Sequence, residues 1–506
     1  GINVVDTYTG TITQGAFTIA VGVSNLVFSG GTFVGSASNI TTTGSFRQEG
    51  GTFTSTSGTL TTAGFTLDGG VYNANGGIFS GTTYKQNGGT YNGSTNTFTL
   101  SSTFIQSGGT YTKPTNTFTG TSIAISGGVF NGTSGNINLT LSFIQTGGTA
   151  TSTTGNMQLP GTSTTVFSTS NATFFHNNGT VTISGANNPL VFTNANNRLY
   201  HLTYTSTASI GGTNIYVDGN LNVGSAGTIG ATAIFLKGNY SGTLGAVSGS
   251  SIITFNGTGD QSFAAVKAPR VIINKPSGNL IINSNIIIGS SWTHTQGAIV
   301  WNNYSASFEG PSGGIVNGVF YDLILNTAND KAFSGNHCVV ANNFTLTNVG
   351  LFTGPNCDIK VGGNVVFTDP TYTNSTVAQK IILNGTGAQS ISGTGPCQFH
   401  LEINKPSGIA QLGANLTVAL AANKDLTITS GELYLNGYNL TVDRNLTVNG
   451  KLSLKGNETI TVSTIVAPAT NAAFAINSGS TIEFKDSAVT GVVSNVTKTF
   501  HHLILG

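Results

Sequence analysis

Bulky apolar residues return about every 19 or 20 positions between residues 30 and 149, against a background of Thr, Ser, Asn and Gly. One column reads Phe33, Phe53, Tyr72, Tyr91, Tyr111 and Phe130, and ends at Ala150. Two residues before each member stands a glycine pair, from Gly30-Gly31 and Gly50-Gly51 through Gly69, Gly88, Gly108 and Gly127 to Gly147-Gly148. A second column, Phe46, Phe65, Tyr84, Phe104, Ile123 and Phe143, runs ahead of the glycines. Two residues further on, Gln48, Leu67, Gln86, Gln106, Ile125 and Gln145 form a third. A unit this short cannot be a domain and is too long for one strand, so each repeat is expected to be one coil of a solenoid. Short runs at 45–48, 52–54 and 59–61 have strand composition and are broken by turn residues. The fold class predicted is all-β, a parallel β-helix (β-solenoid) of about 19–20 residues per coil, with equivalent side chains about 4.8 Å apart. The aromatic columns become internal stacks, each ring contributing about 1.5–3 kcal/mol and a good ring neighbour about 0.5–1.5 kcal/mol more. Because Gln shares its site with Leu67 and Ile125, the amides are expected to face inward as a ladder bonding coil to coil. The other reading of that row is a sugar-binding surface.

Along the chain, residues 1–29 read as a leader or cap and a candidate donor strand, and 30–165 as the regular solenoid. A longer unit occupies 166–506. Its clearest copies are ITFNGTGDQSFAAVKAPRVIINKPSG at 253–278 and ILNGTGAQSISGTGPCQFHLEINKPSG at 382–408. Closing strands centred on Leu202, Val271, Leu323, Leu401 and Leu503 are unevenly spaced. A solenoid can insert or omit coils, whereas tandem β-sandwich domains, the alternative for the C-terminal half, repeat at a nearly constant length. Asn436-Gly437 marks either a hairpin or a solenoid corner. The Ala-rich piece 467–475 reads as a looped insertion, and no segment has helical period with caps.

Charge narrows the function. Of 506 residues only 7% are charged and the formal net charge is +1, so neither nucleic acid nor another electrostatic partner is expected. No apolar run is long enough for a membrane helix, and no membrane span is expected. Asn-x-Ser/Thr sites at Asn39, Asn92, Asn131, Asn171, Asn256, Asn384, Asn445 and Asn495 are glycosylation candidates, and with the uncharged surface they suggest a secreted, cell-surface or filament location.

The units NGTGDQS, VIINKPSG, NLTVNG and LTITSGELYLNGYNLTV resemble the β-strand repeats of large secreted bacterial and archaeal surface proteins, including adhesin-like and autotransporter-passenger-like parallel β-helices. The resemblance covers about 185–506. It implies a stalk, fibre or adhesin, and it carries no catalytic residue.

Candidate chemistry is sparse. Asp322, Asp330, Asp358, Asp369, Glu402 and Asp443 stand singly and read as solvated loop charges. The histidines, including His501-His502, show no metal spacing, and neither cofactor nor catalytic site is expected. Cys338, Cys357 and Cys397 are spaced like coils, with Cys338–Cys357 the candidate disulfide; unpaired thiols are the alternative. The expected function is a structural, non-enzymatic subunit of an extracellular surface fibre, assembling with itself head to tail. Strands near residue 1 would complete a coil left open near 500–506. An adhesin stalk binding glycan, matrix or other cells is the alternative, and ice binding by Thr arrays such as Thr41, Thr42 and Thr43 a third.

Overall fold

The glycine pairs mark a corner where the chain turns from one strand into the next. At Gly50-Gly51 the second glycine has φ of 63°, a left-handed conformation that costs other residues energy. The first lies so close to the carbonyl oxygen of Ser29, in the preceding coil, that a Cβ would strike it. One glycine therefore supplies the turn and the other the close approach between coils. Gly69-Gly70, Gly88-Gly89, Gly108-Gly109, Gly127-Gly128 and Gly147-Gly148 repeat both conditions.

The computed structural model describes residues 1–162, 165–185, 189–194, 196–205, 209–212, 214–224, 228–230, 233–242, 251–310, 313–327, 330–336, 338–352, 357–369, 371–374, 378–418, 424–466, 473–475, 481–484 and 502–505. Among these every regular element is a strand, and the strands stack in parallel ladders as a β-solenoid. The chain divides into two units, residues 1–246 with 251–257, and residues 247–250 with 258–506.

In the first unit a typical coil has one long strand bent at a corner and one short strand after the glycines, as in Ile40–Gln48 followed by Thr52–Thr54. Ladders place like on like. Phe33 pairs with Phe53, Phe53 with Tyr72, Tyr72 with Tyr91, Tyr91 with Tyr111, and Tyr111 with Phe130. Phe46, Phe65, Tyr84, Phe104, Ile123 and Phe143 form the second ladder. All the expected column residues are buried, and the rings stack along the column, Tyr91 and Tyr111 at 4.7 Å and Tyr84 and Phe104 at 4.8 Å between centroids. A further column, Leu60, Phe79, Phe98 and Phe118, also lies inside, with Phe79 and Phe98 stacked at 4.3 Å. Within residues 1–29 the strands Ile2–Val4, Thr11–Thr13 and Ile19–Val21 form a coil in the same register and Leu26–Phe28 belongs to the next: Ile2 pairs with Leu26, Thr11 with Thr32 and Ile19 with Ile40.

The glutamines face inward but do not bond one another. Gln48 Nε2 donates to Val71 O in the next coil at 2.9 Å and Gln86 Nε2 to Thr110 O at 3.0 Å, with the turn glycine carbonyls as further acceptors. Leu67 separates Gln48 from Gln86 in the ladder, so an unbroken amide ladder cannot form. Burial of these amides also removes them from any sugar-binding surface.

The second unit is a solenoid as well, not a string of sandwiches. His400–Leu412 lies parallel to Leu426–Tyr434, which lies parallel to Leu440–Val448. Antiparallel hairpins, which a sandwich needs, would reverse this register. Asn436 (φ 56°) and Gly437 (φ 88°) are accordingly a corner. The long closing strands Arg270–Ile282 and His400–Leu412 carry register shifts within their NKPSG segments. Ala473–Ala475, placed by its sequence in a loop, is a strand paired with Lys451–Ser453; 467–472 lie outside the described residues.

Candidate functional site

Outward side chains of neighbouring coils become neighbours even when they are 20 or more residues apart in sequence. On one face of the second unit, Lys380 pairs in register with His400, and Leu401 with Leu426, which brings Asp425 beside His400. Lys380 Nζ donates to Glu402 Oε2 at 3.0 Å, and Thr429 Oγ1 to Glu402 Oε1 at 2.9 Å. Arg444 grips Asp425 with two parallel hydrogen bonds, Nε to Oδ1 at 2.8 Å and Nη2 to Oδ2 at 2.6 Å. The backbone N–H of Asp425 donates to His400 Nδ1 at 3.1 Å, so in the neutral ring the proton resides on Nε2. These groups surround a cavity of about 340 Å³. Beside it, on the next outward positions of the same strands, a depression of about 400 Å³ is lined by Lys360, Ile382, Asn384, Asn404, Pro406 and Ser430. Glu402 and Asp425 are sunk into this face, with 12% and 19% of their side chains exposed.

The first unit has a smaller charged cluster. Asp218 accepts from Lys237 at 2.9 Å and Arg198 at 3.4 Å, and His176 Nε2 lies 3.7 Å away. Burial pushes His176 below its ordinary pKa while Asp218 pulls it upward. Arg198 covers the Tyr216 ring, which stacks on Phe235.

The first unit also carries an apolar surface on its first coil. Strands Ile2–Val4, Thr11–Thr13 and Ile19–Val21 pair on one side with the following coil. Between them lies a cavity of about 90 Å³ lined by Ile2, Ile12, Ile19, Phe33 and Phe53 among others. Val5, Phe17 and Val23 are exposed on this coil, Phe17 at 80% and Val23 at 88%.

Several carboxylates expected in solvated loops hold backbone instead. Asp369, 3% exposed, accepts from Val349 N at 2.6 Å and from both the N–H and hydroxyl of Thr371 at 2.8 Å. These bonds hold its pKa below the ordinary value against the opposing effect of burial. Asp322 accepts from Asn343 N at 2.7 Å.

The cysteines are three buried free thiols. Cys338 faces Ile359 in the ladder, which leaves Cys357 two residues off register from it, and the bridge suggested by their spacing is not formed. Of the glycosylation candidates, Asn39, Asn92, Asn171 and Asn384 are exposed, Asn131, Asn256 and Asn445 half-buried, and Asn495 lies outside the described residues, as does His501. Asn39 Oδ1 accepts the backbone N–H of Thr59, one coil on. The same corner bond recurs from Asn415 to Asn439 and from Asn439 to Thr459. An N-L-T-V segment thus satisfies a structural need as well as spelling a sequon.

The sequence reading passed over Lys380, His400, Asp425 and Arg444. Coil-by-coil alignment was the signal that would have gathered them, since each stands alone in the linear chain. No helix among the described residues is long and apolar enough to cross a membrane. Comparison with family models, with curated proteins and with solved structures returns no match.

Proposed function

We propose that the chain is a structural subunit of an extracellular surface fibre or appendage, assembling head to tail through homotypic β contacts. The observation that carries this is the apolar surface of the first coil. Phe17 and Val23 stand out on it at 80% and 88% exposure, beside an apolar cavity lined by Ile2, Ile12 and Ile19. Apolar side chains flanking parallel strands favour docking of further strands, and a coil with the same three faces and the same 4.8 Å step, about that of any parallel ladder, is the surface that fits them. A second copy supplies one. A contact between unlike ends does not close on itself and so propagates. The sparsely charged chain and the sequons favour an extracellular address, and the role is scaffolding rather than turnover.

The test compares the chain with a Phe17→Lys, Val23→Lys double variant by sedimentation and electron microscopy. Both side chains are exposed, so the variant should melt as the parent does. The parent is expected to form filaments as concentration rises, and the variant to remain single subunits. A parent that stays monomeric, or a variant that polymerises unchanged, overturns the proposal. An adhesin stalk is the second reading, favoured by the sunken polar face around Glu402 and Asp425.

A further inference from the structure

We infer that the face formed by Lys380, His400, Glu402, Asp425, Thr427 and Arg444 binds a neutral, hydroxyl-rich polysaccharide strand. This goes beyond the fibre reading and does not depend on it.

Charge comes first. Lys380 is matched by Glu402 and Arg444 by Asp425, so these four side chains together present no net charge to attract a polyanion or a polycation. What it offers is a close alternation of donors and acceptors. An ammonium and a guanidinium stand beside two carboxylates and the Thr427 hydroxyl. A sugar hydroxyl both donates and accepts, and is the ligand group that meets such an array without leaving one partner unmatched.

Shape points the same way. The cavity of about 340 Å³ has the volume of a small-ligand site, and the depression of about 400 Å³ around Asn384, Asn404 and Ser430 lies further along the same strands. Ile382 and Pro406 supply apolar surface there for the face of a sugar ring. A compact ligand would fill only the first of these spaces, whereas a chain crosses both.

The ion pairs argue for binding rather than hydrolysis. Asp425 has both oxygens on Arg444, and Glu402 has one on Lys380 and the other on Thr429. Neither carboxyl is placed to deliver a proton to a glycosidic oxygen. These pairs instead hold the polar groups in one geometry before the ligand arrives, which lowers the ordering cost of binding.

Affinity gel electrophoresis tests the inference with dextran, laminarin, galactomannan and xylan as neutral probes and pectate and heparin as anionic ones. At least one neutral polysaccharide is expected to retard the protein, and neither polyanion to do so. Arg444→Met, and separately the pair Lys380→Met with Glu402→Gln, should weaken that retardation about fivefold or more, as loss of one or two hydrogen bonds implies. Arg47→Met, in the Arg47–Asp68 pair of the first unit, should leave it unchanged. Unchanged thermal melting certifies the fold of each variant. No retardation by any neutral probe, preference for a polyanion, or retardation indifferent to both site variants overturns the inference. Sedimentation of the same proteins reads assembly separately, so failure here and failure of the fibre reading are distinguishable.

Discussion

The ammonium nitrogen of Lys405 lies 2.6 Å from Gln389 Oε1, and it donates also to the carbonyl oxygens of Gly385 and Gly387 at 2.7 and 2.8 Å. Lys275 repeats the arrangement, 2.8 Å from Gln261 Oε1 and from Gly259 O. Both lysines are 1% exposed. The duplicated NGTG-x-Q and NKPSG segments are therefore the two halves of a clip, a polar turn in one coil closed by a buried cation from the next.

Lys405→Met is expected to lower the stability of the second unit by on the order of 3 kcal/mol, because it removes a charged donor that bonds Gln389 Oε1 and the Gly385 and Gly387 carbonyls at once. Urea unfolding followed by circular dichroism measures this. An unchanged midpoint would mean the clip is incidental to folding.

Stability should rise with pH above neutrality. Burial lowers Lys113 and Lys331 to about 8 from an ordinary 10.5, so the unfolded chain binds more protons than the folded one in between. The contribution is lost as pH falls through the folded value and is regained on the way to 10.5. Tyr72, Tyr84, Tyr91 and Tyr111 act oppositely: burial raises them above their ordinary 10.0, so stability falls once unfolded tyrosine ionises. The buried thiols, raised above their ordinary 9.0, oppose the lysines from about that pH, so a melting temperature that climbs between about pH 7 and 9, with a smaller climb in Lys113→Met, is the expected result. A flat profile in this window would refute it.

Tyr111 Oη is buried with no hydrogen-bond partner, while Phe130 occupies the next position in its column without a hydroxyl. Tyr111→Phe should therefore stabilise the first unit by about 1 kcal/mol, as removal of an unsatisfied buried group does. Tyr91→Asp, in the same column, should cost more than about 3 kcal/mol by burying an unpaired charge. Thermal melts that rank these two variants the other way would contradict the column packing.

Cys338, Cys357 and Cys397 should resist a thiol reagent in the native protein and all react after denaturation without reductant. Burial pushes all three up, Cys397 to about 12, and the thiolate is the reactive form. A count of one reactive thiol in the unfolded chain would instead reveal a bridge.

The coil period and the two aromatic columns on either side of the glycines were legible because a solenoid converts equal spacing along the chain into adjacency in space. Gly50-Gly51 and Tyr91 needed no partner to be named; their own repetition named it. The inward face of the glutamines could be read for the same reason, since Gln86 alternates with Leu67. Their acceptors could not, because the acceptors of a buried amide are set by how closely the next coil approaches. The column of Phe79, Phe98 and Phe118 escaped notice because its neighbours are Leu60 and Ile137, and because the corner between the two halves of each long strand shifts the count. Nothing in the linear order of NKPSG marks Lys405 as a buried residue. The register shift between Asn404 and Ile409 interrupts the alternation of sides around it, and folding buries its ammonium among carbonyls. Glu402 reads as an isolated charge, and Asp425 carries no signal at all, for an equally physical reason. Their cations, Lys380 and Arg444, lie about one coil away in sequence, and only the stacking of coils brings them within hydrogen-bonding distance.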